Sequence, residues 1–291
     1  MLKTIAITGL DGFIAQYVVE EAQKRGYKVV GNKRSNEENP ILKDVTIYNI
    51  DMRDKAGIFS MIQHCDGVIH LAGLLGTSEN LNQAELMEEV NVGGALNVLN
   101  ACKNFYTPCV MIGVGNSMME NTYSISKTTA ERYGLMYAKY LNSRVNIVRA
   151  LNAFGPRQKF GKINKIIPTF INKAITDQDI TVYGGEKDCS DMDMVYAGDV
   201  AKVLLDVLEK TDRNESNAEV YEAGSGIAYP VYDIAKKIID LTESKSSILE
   251  VPMRGGEDKS VIVAKNPYPI EYRDFDEVLK ETVDYYVQSS N

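Results

Sequence analysis

The sequence is poor in the residues that build metal centres and disulfide frameworks. It has four cysteines, widely spaced and without a Cys-x-x-Cys pair, and only two histidines. Such cysteine spacing indicates neither a zinc site nor a disulfide framework, so we expect reduced thiols. Neither His64 nor His70 belongs to a cluster with metal-ligand spacing, and no metal is expected. His70 ends an apolar run, and we expect it to lie in the core.

The chain also lacks an excess of basic residues and long apolar runs. Its net charge is −8, and a nucleic-acid surface usually needs clustered lysine and arginine, so no nucleic-acid partner is expected. No apolar run reaches the length of a membrane span, and no basic-then-apolar leader precedes the first strand. We therefore expect a cytoplasmic protein with no membrane partner. With 291 residues, it has room for one large α/β domain or for a large domain and a smaller lobe.

A glycine-rich turn directly follows the first apolar run, Ile5–Ile7. Gly9 permits a tight turn, Gly12 lets backbone approach a pyrophosphate, and Ala15 lets the next helix pack closely on the strand. The helix N-terminus then offers free N–H groups to phosphate. This pattern predicts a dinucleotide site. The residues assigned to it are Gly9, Asp11, Gly12, Phe13 and Ile14.

The first half of the chain alternates short apolar runs with amphipathic stretches, which is typical of a parallel sheet wrapped by helices. Strands are predicted at Lys3–Ile7, Lys28–Gly31, Val45–Asn49, Gly67–Leu71, Cys109–Val114 and Arg144–Arg149. Helices are predicted at Phe13–Arg25, Lys55–Gln63, Gln83–Asn104 and Ser124–Leu141. The order predicts an α/β fold with a doubly wound, Rossmann-like parallel sheet.

The regular alternation of short apolar runs and amphipathic stretches ends after residue 155. The later elements are predicted at Ile166–Thr176 (helix), Ile180–Tyr183 (strand), Val200–Glu209 (helix) and Tyr232–Leu241 (helix). We expect residues 1–155 to form a nucleotide-binding domain to which segments near 180–210 return. Residues 156–291 should form mostly a smaller, interleaved C-terminal substrate-binding lobe. Ligands of open α/β sheets bind at the carboxyl ends of the strands, so the cleft should lie between the lobes.

Tyr123 and Lys127 are spaced i, i+4, which puts a phenol and an ammonium on one helix face. Alone, the pair is equally typical of an ordinary helix surface. After a glycine-rich dinucleotide turn, it indicates acid–base chemistry beside a nicotinamide.

With these residues, the chain resembles the extended short-chain dehydrogenase/reductases, and among them the nucleotide-sugar epimerase/dehydratase family. The matching segments are Asp51-Met52-Arg53-Asp54, His70-Leu71-Ala72-Gly73, Asn91-Val92, Tyr123 to Lys127, Arg149 to Gln158 and Asp193 to Ala201. They occur in the family's order and cover nearly the whole chain.

The resemblance implies that Tyr123 is the acid/base and that Lys127 favours its phenolate and holds the nicotinamide ribose. A Ser or Thr after the fifth strand usually shares the proton. Ser117 is the candidate here, or it only caps a turn, because Gly113 and Gly115 stand where serines are common. Dehydrating members carry an Asp-Glu pair at the place of Met118-Met119, and thioethers cannot move protons, so dehydration is not expected.

The resemblance also implies where the cofactor lies. A carboxylate after the second strand suits the ribose of NAD, whereas cations suit the 2′-phosphate of NADP. Lys33 and Arg34 stand there and favour NADP over NAD, although solvated loop charges explain them as well. The residues expected to flank the adenine or line the cofactor's path are Asp51, Met52, Leu71, Ala72 and Gly73.

For the substrate, the resemblance places Asn152 near the sugar and diphosphate, Ile167 and Tyr183 at the base, and Arg254 at phosphate. Arg254 is also explained as a solvated surface charge. Met192 replaces an arginine that is common just before Asp193, which implies a weaker or differently placed diphosphate contact.

We therefore predict an NAD(P)-dependent nucleotide-sugar epimerase that works through a 4-keto intermediate. The alternatives are an NADPH-dependent reductase of a nucleotide 4-keto sugar and a non-catalytic dinucleotide sensor. A homodimer is expected from the helices Gln83–Asn104 and Ser124–Leu141, unless their small and apolar residues only cover their own sheet. The residues expected at this interface are Met87, Val90, Gly94, Met136 and Tyr137.

Overall fold

A computed structural model describes residues 2–35, 37–161 and 163–290 of the chain. Seven parallel strands form the central sheet, in the order β10-β6-β5-β4-β1-β2-β3. These strands are β1 Thr4–Thr8, β2 Lys28–Lys33, β3 Thr46–Asn49, β4 Gly67–His70, β5 Cys109–Val114, β6 Val145–Ala150 and β10 Val220–Ala223. The sequence located six of them to within two residues at each end. It missed β10, a short strand without a clear apolar run.

Helices cover both faces of this sheet. They are α1 Phe13–Lys24, α2 Lys55–Ile62, α3 Ala84–Met87, α4 Gly94–Phe105, α5 Thr122–Tyr140 and α8 Ala197–Asp212. Because successive side chains of a strand point to opposite faces, Ile5 and Ile7 of β1 pack with α1 and α8, while Ala6 packs with α2, α4 and α5. The doubly wound α/β fold predicted from the sequence is confirmed.

The predicted helix Gln83–Asn104 is interrupted. A π-helical segment, Glu88–Gly93, lies between α3 and α4, and such segments are frequent at functional sites.

The remaining elements form a second core. They are β7 Asn152–Phe154, α6 Ile166–Ile175, β8 Ile180–Tyr183, α7 Gly185–Asp188, β9 Asp191–Tyr196, β11 Ala228–Pro230, α9 Val231–Leu241, β12 Ile248–Val251, β13 Val261–Ile262 and α10 Phe275–Ser290. β9 is the centre of a small sheet with β7, β11 and β13, and β8 pairs with β12. Apolar side chains of α6, α9 and α10 pack together against these strands.

Asp193 of β9 holds the two cores together. Its buried carboxylate accepts hydrogen bonds from the N–H groups of Ser225, Gly226 and Ala264 and from the Ser225 hydroxyl, at 2.8–3.1 Å. The segment after β10 is therefore fixed to the middle strand of the smaller sheet.

The apolar surface expected at a dimer interface is largely inside the protomer. Met87, Val90, Gly94 and Tyr137 are buried, and Met136 is partly buried. Tyr137 belongs to the core cluster of α2, α4, α5 and the sheet, Met136 packs against that cluster, and the Tyr137 hydroxyl donates to Asn100. The interface prediction was therefore wrong for Met87, Val90, Gly94 and Tyr137, because helical spacing does not say which face of a helix is buried, and for Met136 it stays a prediction.

Within the described residues, no helix is both long and apolar enough to cross a membrane.

Candidate active site

The glycine turn lies at the carboxyl end of β1. Gly9 has a φ of +77°, and a Cβ there would lie 2.9 Å from the Cα of Ala72. The Asn32 side chain accepts the Gly9 N–H at 3.0 Å and so holds the turn against β2. Gly12 caps α1 without a side-chain hydrogen bond, so the first N–H groups of α1 face an open cradle. This backbone fits the pyrophosphate of a dinucleotide.

At the end of β2, cations and carboxylates alternate. The Asp11 carboxylate accepts the N–H groups of Arg34 and Ser35, each at 3.2 Å. The Arg34 guanidinium lies 3.7 Å from the Asp51 carboxylate, and Lys33 donates to a backbone carbonyl. Lys33 and Arg34 are thus both placed beside the predicted ribose position, but Arg34 is close to a counter-charge.

The side chains of Asp51 and Met52 have different surroundings. Asp51 is bound by Arg53 at 2.9 Å, and this hydrogen bond holds the pKa of the Asp51 carboxyl below its usual value. Met52 is buried against Gly94, and its sulfur accepts from Asn32. The Met52 side chain is therefore mainly a core group.

The segment after β4 is fixed by Thr8. The Thr8 hydroxyl accepts the N–H groups of Leu71 and Ala72, each at 3.0 Å, and so donates its proton to Nδ1 of His70 at 2.8 Å. Burial and the nearby charge of Lys127 lower the pKa of His70 to about 3. The core position predicted for His70 is confirmed.

Asn91, in the π-helical segment, links the segment after β4 to α5. Its Oδ1 accepts the Leu74 N–H at 2.7 Å, and its Nδ2 donates to Ser126 at 3.0 Å. Ser126 in turn donates to the Tyr123 carbonyl at 3.0 Å. We predicted no role for Asn91 from the sequence, although the Asn91-Val92 match pointed to this residue.

Tyr123 and Lys127 lie one turn apart at the start of α5. The helix begins at Thr122, and the Asn121 side chain caps it by accepting the Ser124 N–H at 2.9 Å. A Cβ on Gly73 would lie 3.9 Å from Cδ of Lys127, so the lysine stem passes beside the predicted cofactor path.

Burial controls both groups. It raises the pKa of the Tyr123 phenol to about 12 and lowers the pKa of Lys127 to about 8, although the Glu131 carboxylate partly offsets the latter shift. The lysine is therefore mostly charged at neutral pH, and the phenol keeps its proton until a cation offsets the burial.

Packing explains the glycines after β5. Glu131 is buried and makes two hydrogen bonds to Arg149, at 2.6 and 3.0 Å, and a Cβ on Gly113 would lie 2.9 Å from its Oε2. A Cβ on Gly115 would lie 2.7 Å from Cδ1 of Leu151. Side chains of neighbouring elements thus fill the space that a serine would need.

Ser117 lies in the turn that follows β5. Its carbonyl accepts the Thr128 hydroxyl at 3.2 Å, which places it beside α5, and the next residue, Met118, is 91% exposed. Its role as the shared hydroxyl stays a prediction.

The smaller lobe brings together some of the predicted substrate residues. Arg254 lies over the ring of Tyr183, with 5.2 Å from its central carbon to the ring centroid. Asn152 donates to the Asp193 carbonyl at 3.3 Å. Ile167 is only 1% exposed and packs in the second core, so its side chain cannot contact a base. Only the backbone at the start of α6 is left for that role.

Among the residues that the structure describes, no group of three or more histidine, cysteine, aspartate or glutamate side chains is arranged to hold a metal ion.

Similar sequences include enzymes of several activities. The chain is 29% identical over 279 residues to a UDP-N-acetyl-alpha-D-glucosaminuronate decarboxylase of Bacillus cytotoxicus, covering 87% of this chain and 84% of that one. It is 25% identical over 303 residues to a UDP-glucose 4-epimerase of Mycoplasma genitalium, covering 89% and 87%.

Solved structures have the same fold. A UDP-glucose 4-epimerase of Thermotoga maritima with UDP-glucose has a TM-score of 0.87 at 20% identity, covering 99% of this chain and 100% of that one. The UDP-glucose 4-epimerase of Thermus thermophilus in complex with NAD has a TM-score of 0.85 at 21% identity, covering 98% and 99%.

The family model for the NAD dependent epimerase/dehydratase family matches residues 5–224. This span contains the glycine turn, the Tyr123/Lys127 pair and, apart from Thr4 of β1, the central sheet. The chain therefore belongs to the NAD-dependent epimerase/dehydratase family and is an enzyme whose cofactor is NAD or NADP.

Proposed function

We propose that this enzyme is a nucleotide-sugar epimerase that works through a 4-keto intermediate. The observation that carries the proposal is the position of Tyr123 and Lys127 on one face of α5, with the Lys127 stem beside Gly73 at the edge of the dinucleotide cradle. This position supports a reaction in which Tyr123 exchanges the proton of a sugar hydroxyl beside a nicotinamide, with Lys127 as the nearby cation.

In this proposal, Tyr123 takes the proton of the C4 hydroxyl and later returns a proton to the ketone oxygen. Its phenol is held protonated by burial, with a pKa of about 12, so it needs nearby positive charge to act as a base. Lys127 supplies that charge at neutral pH. The chemistry that a bound dinucleotide contributes is reversible hydride transfer at C4. Ser117 would orient the same hydroxyl.

Dehydration is not part of the proposal. Met118 and Met119 stand in the loop before Tyr123, and neither thioether can move a proton. Epimerisation requires only the one acid/base group together with room for the sugar to present its other face. The exposed loop around Met118 is compatible with that room.

A 4-keto reductase that uses NADPH is the second candidate. Lys33 and Arg34 favour it, because both lie at the end of β2, where cations suit a 2′-phosphate. NADP is therefore proposed as its cofactor, and a tightly held NAD as that of the epimerase.

Identification of the bound nucleotide tests the choice. The purified protein is denatured and its nucleotide identified by mass spectrometry. The protein is then incubated with UDP-glucose or UDP-N-acetylglucosamine and the products are examined by NMR. We expect retained NAD(H) and a C4 epimer without added cofactor. Turnover only of a 4-keto sugar with added NADPH would support the reductase, and CO₂ release from a UDP-uronate would support a decarboxylase instead.

We also propose a homodimer, formed by the outward faces of α4 and α5. Tyr133 of α5 is 38% exposed, and Ile125 and Tyr140 of the same helix are also exposed. Sedimentation equilibrium at micromolar concentration should show a two-fold assembly, and Tyr133→Glu should weaken it. Tyr285→Glu, at an equally exposed tyrosine of α10, is the control. A single species at the chain mass of 32.3 kDa would contradict the dimer.

A further inference from the structure

An ion pair with a buried carboxylate connects α5 to the central sheet. The Arg149 guanidinium of β6 donates to both carboxylate oxygens of Glu131 in α5, at 2.6 and 3.0 Å, and Glu131 is 4% exposed. Two charge-assisted hydrogen bonds from one guanidinium hold a carboxylate ionised and fix its orientation. Gly113 of β5 is in register with Arg149, and a Cβ there would lie 2.9 Å from Oε2 of Glu131. The glycine therefore leaves the space that this carboxylate occupies.

Lys127 precedes Glu131 by one helical turn. Residues i and i+4 are neighbours on one face of a helix, with Cβ atoms about 5–6 Å apart. Lys127 is 6% exposed, so the ammonium and the carboxylate both lie away from water. Opposite charges attract each other more strongly there than at the surface. The proposed catalytic lysine therefore has a buried counter-charge on its own helix.

Among the described residues, the other groups around Lys127 supply no comparable negative charge. From β4, His70 is neutral at neutral pH, since its pKa is about 3. From the π-helical segment, Asn91 is uncharged, and β5 carries no charged residue. The charged side chains of α3, the π-helical segment and α4 are exposed and screened by water; they are Glu85, Glu88, Glu89 and Lys103.

Burial works against the charged form of Lys127. It lowers the pKa of the ammonium to about 8, and the Glu131 carboxylate opposes this shift. Without that carboxylate, a lysine buried to this degree loses its proton at a lower pH. The neighbouring Tyr123 phenol would then lose the cation that it needs, because burial raises its own pKa to about 12.

We propose that Glu131 is a positioning residue, whose carboxylate keeps the Lys127 ammonium charged at neutral pH and is itself held in place by Arg149. Glu131 touches neither substrate nor cofactor in this scheme and acts only through Lys127. The inference rests on the proposed function for the role of Lys127 beside Tyr123.

The ionisation of Lys127 can be measured without any turnover. In protein with ¹³C-labelled lysine side chains, NMR across a pH series follows each ammonium, and Lys127→Met identifies the Lys127 signal. Glu131→Gln should lower the pH at which Lys127 ionises by about one pH unit or more, as expected for a lost neighbouring charge. Glu21→Gln, which breaks an ion pair with Arg25 on α1, is the matched control and should leave it unchanged.

Turnover of a nucleotide sugar gives a second measurement. Relative to the unsubstituted protein, kcat of Glu131→Gln should fall at least about five-fold at pH 8 and less than about two-fold at pH 6, because the lysine regains its proton in acid. Glu131→Asp keeps the carboxylate and should retain most of the activity at both pH values. An equal loss of kcat at both pH values would show a purely structural ion pair and would overturn the inference.

Glu131→Gln leaves the partly buried Arg149 guanidinium without its partner, which costs stability. The double variant Glu131→Gln/Arg149→Gln removes both charges, keeps two amides that can bond to each other, and should show the same lower ionisation pH. An unchanged ionisation pH of Lys127 in either folded variant would overturn the inference even in an active epimerase. The expected NMR result, in a protein that turns over no nucleotide sugar, would instead overturn only the proposed reaction.

Discussion

The two walls of the cleft are built in different ways. The proposed cofactor side consists of one contiguous turn, residues 8–15, and the ends of neighbouring strands, and backbone N–H groups are its proposed phosphate donors. On the proposed substrate side, Arg254 pairs with Glu257, three residues away, and with Glu79, which is 175 residues away in the chain. The first wall can be recognised from local spacing, whereas the second exists only once the chain has folded.

The largest expected effect is the loss of kcat on substitution of Tyr123, at the start of α5. Tyr123→Phe should lower kcat at least ~10²-fold while cofactor affinity is nearly unchanged, because only the acid/base oxygen is removed. Steady-state kinetics and a dinucleotide titration measure the two quantities. Near-normal turnover would remove Tyr123 from the mechanism.

On the cofactor side, a substitution of Gly115 tests whether close packing explains the glycine after β5. Gly115→Ser should lower the free energy of unfolding by about 1–3 kcal/mol, since its Cβ would lie 2.7 Å from Leu151. Urea unfolding measures this loss. Gly161→Ser is the control, because a Cβ there meets nothing within 4 Å. Equal stability of the two variants would show that packing does not explain the glycine.

At the end of β2, the proposed cofactor contacts rely on side-chain charge. The double variant Lys33→Asp/Arg34→Asp should change the preference for NADPH over NADH at least ten-fold, as charge-assisted contacts to a phosphate are lost. Lys24→Asp/Lys28→Asp, at the last residue of α1 and the first residue of β2, makes the same charge change away from this end of the strand. Fluorescence titrations with both dinucleotides give the ratio. An unchanged ratio in the first variant would refute the 2′-phosphate contact.

The smallest expected effect concerns His70, whose protonation changes the free energy of unfolding. Its pKa is about 3 in the folded protein, below the ordinary value of 6.5, so between these values the unfolded chain binds more protons. Stability should therefore fall as the pH drops below 6.5, by about 1 kcal/mol between pH 7 and pH 5.5. Urea unfolding at both pH values should show this part missing in His70→Asn and kept in the exposed control His64→Asn. The same change in the free energy of unfolding between the two pH values in the unsubstituted protein and in both variants would contradict this role of His70.

Much of the cofactor wall was predictable, because each part depends on neighbours in the chain. The turn at Gly9 and Gly12 follows from backbone geometry, and the common face of Tyr123 and Lys127 follows from the helical repeat. The partners of these groups were missed. Asn32 and Asn91 act through contacts with residues 17 to 23 positions away, which spacing does not reveal.

The substrate wall was harder, since burial and pairing depend on tertiary packing. Ile167 was predicted at a base but lies in the core, and Arg254 has two carboxylate partners that no motif indicated together. The same limit applies to the interface prediction, in which Met87 and Tyr137 turned out to be buried within the protomer.

The return of α8 and β10 to the central sheet determines when the first half of the chain can finish folding. During synthesis, the apolar faces of β1 and α1 emerge early, but Val200, Leu204 and Leu208, which cover them, emerge some 180 residues later. In between, the ribosome makes β2 to β6 of the central sheet and about half of the second core. The nascent nucleotide-binding half therefore keeps apolar surface exposed until these residues are made. Exposed apolar surface of this kind binds chaperones and promotes aggregation. A fragment that ends at residue 155 would keep that surface permanently.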